Sequence, residues 1–207
     1  MMLPTHALSG MALALPLLAV APEFTPVAVV AGLLGGIFPD LDMYVGHRKT
    51  LHFPVYYSAL AVFVAPIAIS IPTTATVVLA VFLFAAALHS VSDVFGGGLE
   101  LRPWEETSNK AVYNHYRGAW IGPRRLIRYD GSPTDLLVSI ALAIPLLVAL
   151  EGSYQWLVTG ALVVAIAYTG LRRPLARLAP VVVRALPTSA LLYVPDRYVE
   201  ETGTTAH

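Results

Sequence analysis

The residues able to do chemistry fall in four short places. His6 stands near the start. Asp40 and Asp42 close the run Gly36-Ile37-Phe38-Pro39-Asp40-Leu41-Asp42. His47 and His52 bracket His47-Arg48-Lys49-Thr50-Leu51-His52. His89 and Asp93 bracket His89-Ser90-Val91-Ser92-Asp93. The last spacing is i and i+4, which puts both side chains on one helical face. Imidazoles and carboxylates in this mixture suit a divalent metal: zinc first, manganese or iron as alternatives, one or two ions. All seven of these His and Asp residues are candidate ligands. A water on such an ion loses its proton near neutral pH and becomes a nucleophile. Asp40 and Asp42 are the candidate catalytic carboxylates, because an uncoordinated member of the pair could orient that water. Arg48 is the candidate substrate-binding residue, suited to an anionic group. Each motif alone has a plainer reading, as a turn, a helix-end contact or a satisfied polar pair. Their joint placement carries the argument. His115, Glu105 and Glu106 read as solvated rather than ligating.

The ligands must be held by elements made almost wholly of apolar residues. The chain has 207 residues, 57% of them hydrophobic and 13% charged. Mean hydropathy is +0.68, and a soluble domain carries about 25% charged residues. No cysteine is present, so disulfides, thiolate ligands and a cysteine nucleophile are excluded. Apolar segments run over about 7–21, 26–38, 54–71, 74–92, 136–150 and 155–171. From Phe53 to Leu88 there is no Asp, Glu, Lys or Arg. The turn signal Ile71-Pro72-Thr73-Thr74 splits that window into halves of about 27 Å as helix, near the thickness of a bilayer core. The fold expected is all-α: an integral membrane bundle of about six apolar helices in three hairpins. The first segment has the length of a signal-peptide core but lacks the basic flank, and is read as retained.

Charge supports the hairpins. The turns near 22–26, 72–74 and 151–154 hold Glu23 and Glu151 and no Lys or Arg, so all thirteen basic residues fall at the other ends. The positive-inside rule then puts those ends, the site and both termini in the cytoplasm of a multi-pass inner-membrane protein. The hairpin returns bring all four motifs to that level. Residues 1–175 form the embedded domain. A polar insertion at about 94–135 caps it on the cytoplasmic side, and 176–207 form an interfacial or cytoplasmic tail.

Thr5-His6, the Gly36–Asp42 run, His47–His52 and His89–Asp93 together resemble the predicted membrane-bound metal-dependent hydrolases, the YdjM-like family. The resemblance covers about residues 1–100. In ligand order that family is similar to zinc-dependent phospholipase C and related nucleases. The resemblance implies His6, Asp42 or Asp40, His52, His89 and Asp93 as ligands on a helical fold. The later His and His-x-x-x-Glu ligands of those enzymes have no counterpart here, which leaves one or two ions rather than three. The function expected is a membrane metal-dependent hydrolase acting on a phosphoester or lipid head group. The alternative is a non-enzymatic metal-binding membrane protein, an ion carrier or scaffold. A carrier would place polar groups near the midplane, whereas these sit at helix ends. Membrane lipid is the expected partner. Net neutrality and the lack of a binding motif argue against nucleic acid.

Overall fold

The computed structural model describes residues 1–191, 193–195, 198 and 199. Arg197 and the end of the expected tail lie outside the described residues. Among the described residues eight α-helices carry the fold: α1 Leu3–Ala12, α2 Leu17–Val20, α3 Thr25–Ile37, α4 Pro54–Ser70, α5 Thr74–Ser92, α6 Pro133–Ala149, α7 Ser153–Ala185 and α8 Thr188–Leu191. One antiparallel hairpin, β1 Val112–Asn114 with β2 Ala119–Ile121, lies in the insertion. Among the described residues four segments are long and apolar enough to cross a membrane: Leu3–Val20, Pro22–Tyr44, Thr74–Phe95 and Ser153–Ala185. At 17 residues each, α4 and α6 are shorter, about 25 Å long.

Proline and threonine set the boundaries. Pro4, Pro26, Pro54 and Pro133 stand in the first turns of α1, α3, α4 and α6, where a missing N–H costs nothing. Thr73 caps α5, its Oγ1 accepting from the Thr76 amide at 3.2 Å. The structure differs from the sequence reading at both ends of the chain. The first apolar segment is not one helix: α1 stops at Ala12, and Pro16 stands where the short α2 begins. Moreover α1 starts at Leu3, so His6 lies inside it rather than ahead of it. At the far end, α7 runs unbroken through Pro174 and Pro180 to Ala185. The division expected at 175 therefore falls inside a helix.

The bundle centres on α1, α3 and α5, with α4 against α5 and the α6–α7 hairpin against α1. Glycine sets the spacing. A Cβ at Gly10 would lie 2.0 Å from the Gly32 carbonyl oxygen, and one at Gly35 would lie 2.4 Å from that of Phe82. Backbones that close require small residues, the packing that holds helices together where lipid removes the hydrophobic drive. Leu8, Met11, Val29, Val77, Leu146 and Val158 fill the core between five helices. The insertion folds back on the end of α5. Arg124 and Ile127 amides donate to the Val94 and Phe95 carbonyls at 2.7 and 3.0 Å, and the Tyr113 amide donates to the Arg48 carbonyl at 2.9 Å.

Candidate metal centre

His89 and Asp93 close α5 one turn apart, each 1% exposed. Beyond α3 the chain tightens into a 3-10 turn over Phe38–Tyr44, which carries Asp40 and Asp42. His52 sits two residues ahead of Pro54, the start of α4, and is fully buried. Three helix ends thus meet at one level. The Nε2 atoms of His52 and His89 are 3.2 Å apart. Asp40 Oδ1 lies 3.3 Å from His89 Nε2 and 3.6 Å from His52 Nε2. Asp93 Oδ2 lies 3.4 and 3.7 Å from the His52 and His89 nitrogens. All four ligand atoms fall within 4.8 Å of one another. Bonds of about 2.0–2.1 Å to a tetrahedral ion give ligand–ligand edges of about 3.3 Å. Five of the six edges are close to that.

The outer hydrogen bonds decide what the imidazoles present. His89 Nδ1 is 2.6 Å from the Gly36 carbonyl oxygen, and His52 Nδ1 is 2.9 Å from Asp42 Oδ2. Neither oxygen can donate, so each Nδ1 carries the proton. In the neutral rings both Nε2 lone pairs then point at each other and at two carboxylates. Four acceptors converging in this way, three of them buried, call for a cation or protons, and Asp93 already meets two cations, the Arg48 guanidinium at 3.1 Å and the Met1 ammonium at 2.5 Å. The donor set fits a divalent ion, and both histidines already have the outer acceptor that metal-bound imidazoles carry. A proton on His52 Nε2 would answer part of the same need. Burial opposes that charge, yet hydrogen bonds to Asp42 and Asp93 raise His52 from 6.5 to about 8.

The other candidates take different places. Asp42 is 2% exposed and saturated. It accepts from the Arg48 amide at 3.2 Å, the Leu51 amide at 3.0 Å, His47 Nδ1 at 3.0 Å and His52 Nδ1. It ties the 42–52 loop into a knot and backs His52, one step outside the four-atom group. His47 lies beyond Asp42, on its far oxygen. His6 stacks flat on His89, ring centres 3.6 Å apart, with Nε2 3.1 Å from Asp93 Oδ1. Arg48 is buried rather than turned to solvent. Its Nε is 3.1 Å from Asp93 Oδ2 and its Nη1 donates to the Gly97 carbonyl at 2.9 Å. Its backbone is left-handed, with φ of 59°, a conformation that costs a non-glycine residue of order 1 kcal/mol or more and marks a constrained loop.

Several supporting residues carry no metal-binding pattern. Asp135 is fully buried and accepts from the Met2 amide at 2.7 Å, the Gly131 amide at 3.0 Å and Thr5 Oγ1 at 2.7 Å. Thr5 also bonds Ser139 at 2.7 Å. This pins the start of α1 to α6 and so fixes where His6 points. The signal was Ser132-Pro133-Thr134-Asp135, a helix-start pattern at the head of an apolar run. Asp130 bonds Arg172 at 2.9 Å and Tyr168 at 2.6 Å, fastening the insertion to α7. Gly36 had shown only as part of a motif. A Cβ there would lie 2.4 Å from the His6 carbonyl oxygen. No family model, no curated protein and no solved structure matches the chain. Its function is therefore read from this geometry.

Proposed function

We propose that the protein is a multi-pass membrane hydrolase that uses a divalent metal, zinc before manganese or iron, to cleave a phosphoester. The observation that carries the reading is the convergence of Asp40, His52, His89 and Asp93, four acceptors held at three helix ends with no hydrogen-bond donor of their own to spare. His52, His89 and Asp93 would hold the ion, which leaves a fourth position for a water beside Asp40. A bound divalent ion supplies Lewis acidity and a water acidic enough to react near neutral pH. Asp42 keeps the His52 Nε2 lone pair aimed inward. Gly36 does the same for His89. His6, against Asp93 and over the face of His89, holds both in place. Arg48 neutralises part of the charge on Asp93 and thereby tunes its strength as a ligand. Asp40, the least buried of the four carboxylate and imidazole side chains at 11% exposure, is the one suited to orient a water or hand on a proton. The basic residues gathered at this end support an orientation with the site on the cytoplasmic face.

A second reading rests on the cations already at Asp93. Arg48 and the Met1 ammonium on Asp93, with His52 charged, would make the cluster a structural polar knot. Elemental analysis of detergent-purified protein separates the two. The hydrolase reading expects at least one transition-metal ion per chain, lost in a His89→Ala, Asp93→Ala double variant, and metal-dependent release of phosphate or alcohol from phosphoester substrates. Wild-type protein that stays metal-free after incubation with zinc and manganese would overturn it.

A further inference from the structure

α7 is longer than the membrane it is suited to cross. Its 33 residues make a helix of about 50 Å, whereas a bilayer core is about 30 Å thick. About 20 residues from Ser153 cover that thickness. They end at Arg172, the first charged residue after Glu151. The insertion marks the same level, since Arg172 Nε donates to Asp130 Oδ2 at 2.9 Å and Nη2 donates to the Leu101 carbonyl at 3.1 Å. From Arg173 to Ala185 the helix therefore projects about 20 Å beyond the core. This part has three sides. Arg172, Ala176 and Val183 are buried against the rest of the chain. Arg173, Arg177 and Arg184 are exposed on a second side. Leu171, Leu175, Leu178 and Val182 form the third, each between 48% and 55% exposed. Their spacing of four, three and four is the repeat of a helix packed along another helix. Leu157 and Val164 continue the row within the span at steps of seven.

An apolar row outside the bilayer core needs a cover. α7 runs unbroken through Pro174 and Pro180, so the projecting part continues the axis of the span rather than turning to lie flat among head groups. The described residues of the tail leave the row bare. A lone helical projection of about 13 residues is also marginal in water. A second copy meets each requirement. Two copies in one membrane share an orientation, so their α7 helices leave it parallel and at one height. A two-fold axis along the membrane normal then sets each row against its own counterpart. The exposed arginines fall at the outer positions of the repeat, so like charges do not meet across the contact. We infer that the protein is a dimer, joined by a parallel, left-handed pairing of α7 through Leu171, Leu175, Leu178 and Val182. This rests on the membrane reading of α7 and needs neither the metal nor the hydrolysis.

Cross-linking of the full-length chain in membranes tests this, because the chain has no cysteine of its own. Under mild oxidant, Leu175→Cys and Leu178→Cys should form disulfide-linked dimers about tenfold faster than Arg177→Cys, which lies on the far side. Leu175→Glu with Leu178→Glu sets like charges face to face and should halve the mass of the chelator-treated protein, measured in detergent and corrected for bound detergent. Both leucines are half exposed in the single chain, so this variant should keep the near-ultraviolet circular dichroism of wild type, and lost association will not be lost folding. Arg177→Glu changes charge on the far side and should remain a dimer. Wild-type protein that is monomeric, or cross-linking as fast at Arg177→Cys as at Leu178→Cys, overturns the inference. A Leu178→Cys protein that neither cross-links nor reacts with a maleimide would assign the row to the chain's own tail and overturn it too. A dimer that holds no metal would leave this inference standing while the hydrolase reading failed, and a metal-loaded monomer would do the reverse.

Discussion

At the scale of single residues, the centre works through protons placed one bond away from it. Asp42 and Gly36 each hold an imidazole by Nδ1, and this outer contact, not the ligand atom, fixes which nitrogen faces inward. His52 is held at about 8 against an ordinary 6.5, so pH should act in opposite directions on the two forms of the protein. A raised value means that the folded, metal-free state gains stability from protonated His52. That gain is fully present below about 6.5 and is lost as pH rises through about 8. An ion must displace the same proton. Zinc affinity should therefore fall about tenfold for each pH unit below 8, which competitive titration with a chromophoric chelator between pH 6 and 8.5 will measure. A flat affinity over that range would show that His52 is not a ligand. The sequence displayed all seven ligand candidates, because His and Asp are scarce in an apolar chain. It could not rank them. Asp40 and Asp42 are two residues apart and chemically alike, and only the 3-10 turn over Phe38–Tyr44 decides that one faces the group and the other backs it.

At the scale of elements, the apolar runs and the turns between them were legible from hydropathy and proline alone. The lengths of the outer helices were not. Pro16 stands at a helix break where Pro174 and Pro180 lie inside an unbroken helix, so proline alone does not place the helix ends. The insertion read as a loop, and three-residue strands carry too little periodicity to announce themselves. Helix spacing offers a sharp test, since glycines in these helices do different things. Gly10→Ala would drive a methyl to 2.0 Å from the Gly32 carbonyl, whereas at Gly160 nothing lies within 4 Å. Gly10→Ala should cost several kcal/mol, on the scale of severe overpacking. Gly160→Ala should gain roughly 0.5–1 kcal/mol from helix propensity. Thermal melts of both variants in one detergent will show it, and a Gly10→Ala protein as stable as wild type would mean that α1 and α3 are not in backbone contact.

At the scale of the whole molecule, the hairpins expected from the sequence would divide polarity between the two ends of the bundle. They would put the His and Asp centre, the insertion and the basic residues at one end, and the Glu23, Pro72 and Glu151 turns at the other. The chain has no cysteine, so single cysteines can report sidedness without background. In right-side-out vesicles or intact cells, Gly152→Cys should react with a membrane-impermeant maleimide. Arg117→Cys should react only after permeabilisation. The reverse pattern would invert the orientation, and equal labelling of both would argue against a spanning bundle. One residue links this scale to the first. Gly36 lets α1 and α3 touch at His6, and the carbonyl of the same residue holds His89. Helices accommodate a thinner or thicker bilayer by changing tilt, and a change of tilt between α1 and α3 is a change in the acceptor that aims His89. Lipid thickness thus becomes a variable of coordination. Zinc affinity should differ between nanodiscs of short-chain and long-chain lipid, and an affinity indifferent to chain length would show the centre to be mechanically insulated from its surroundings.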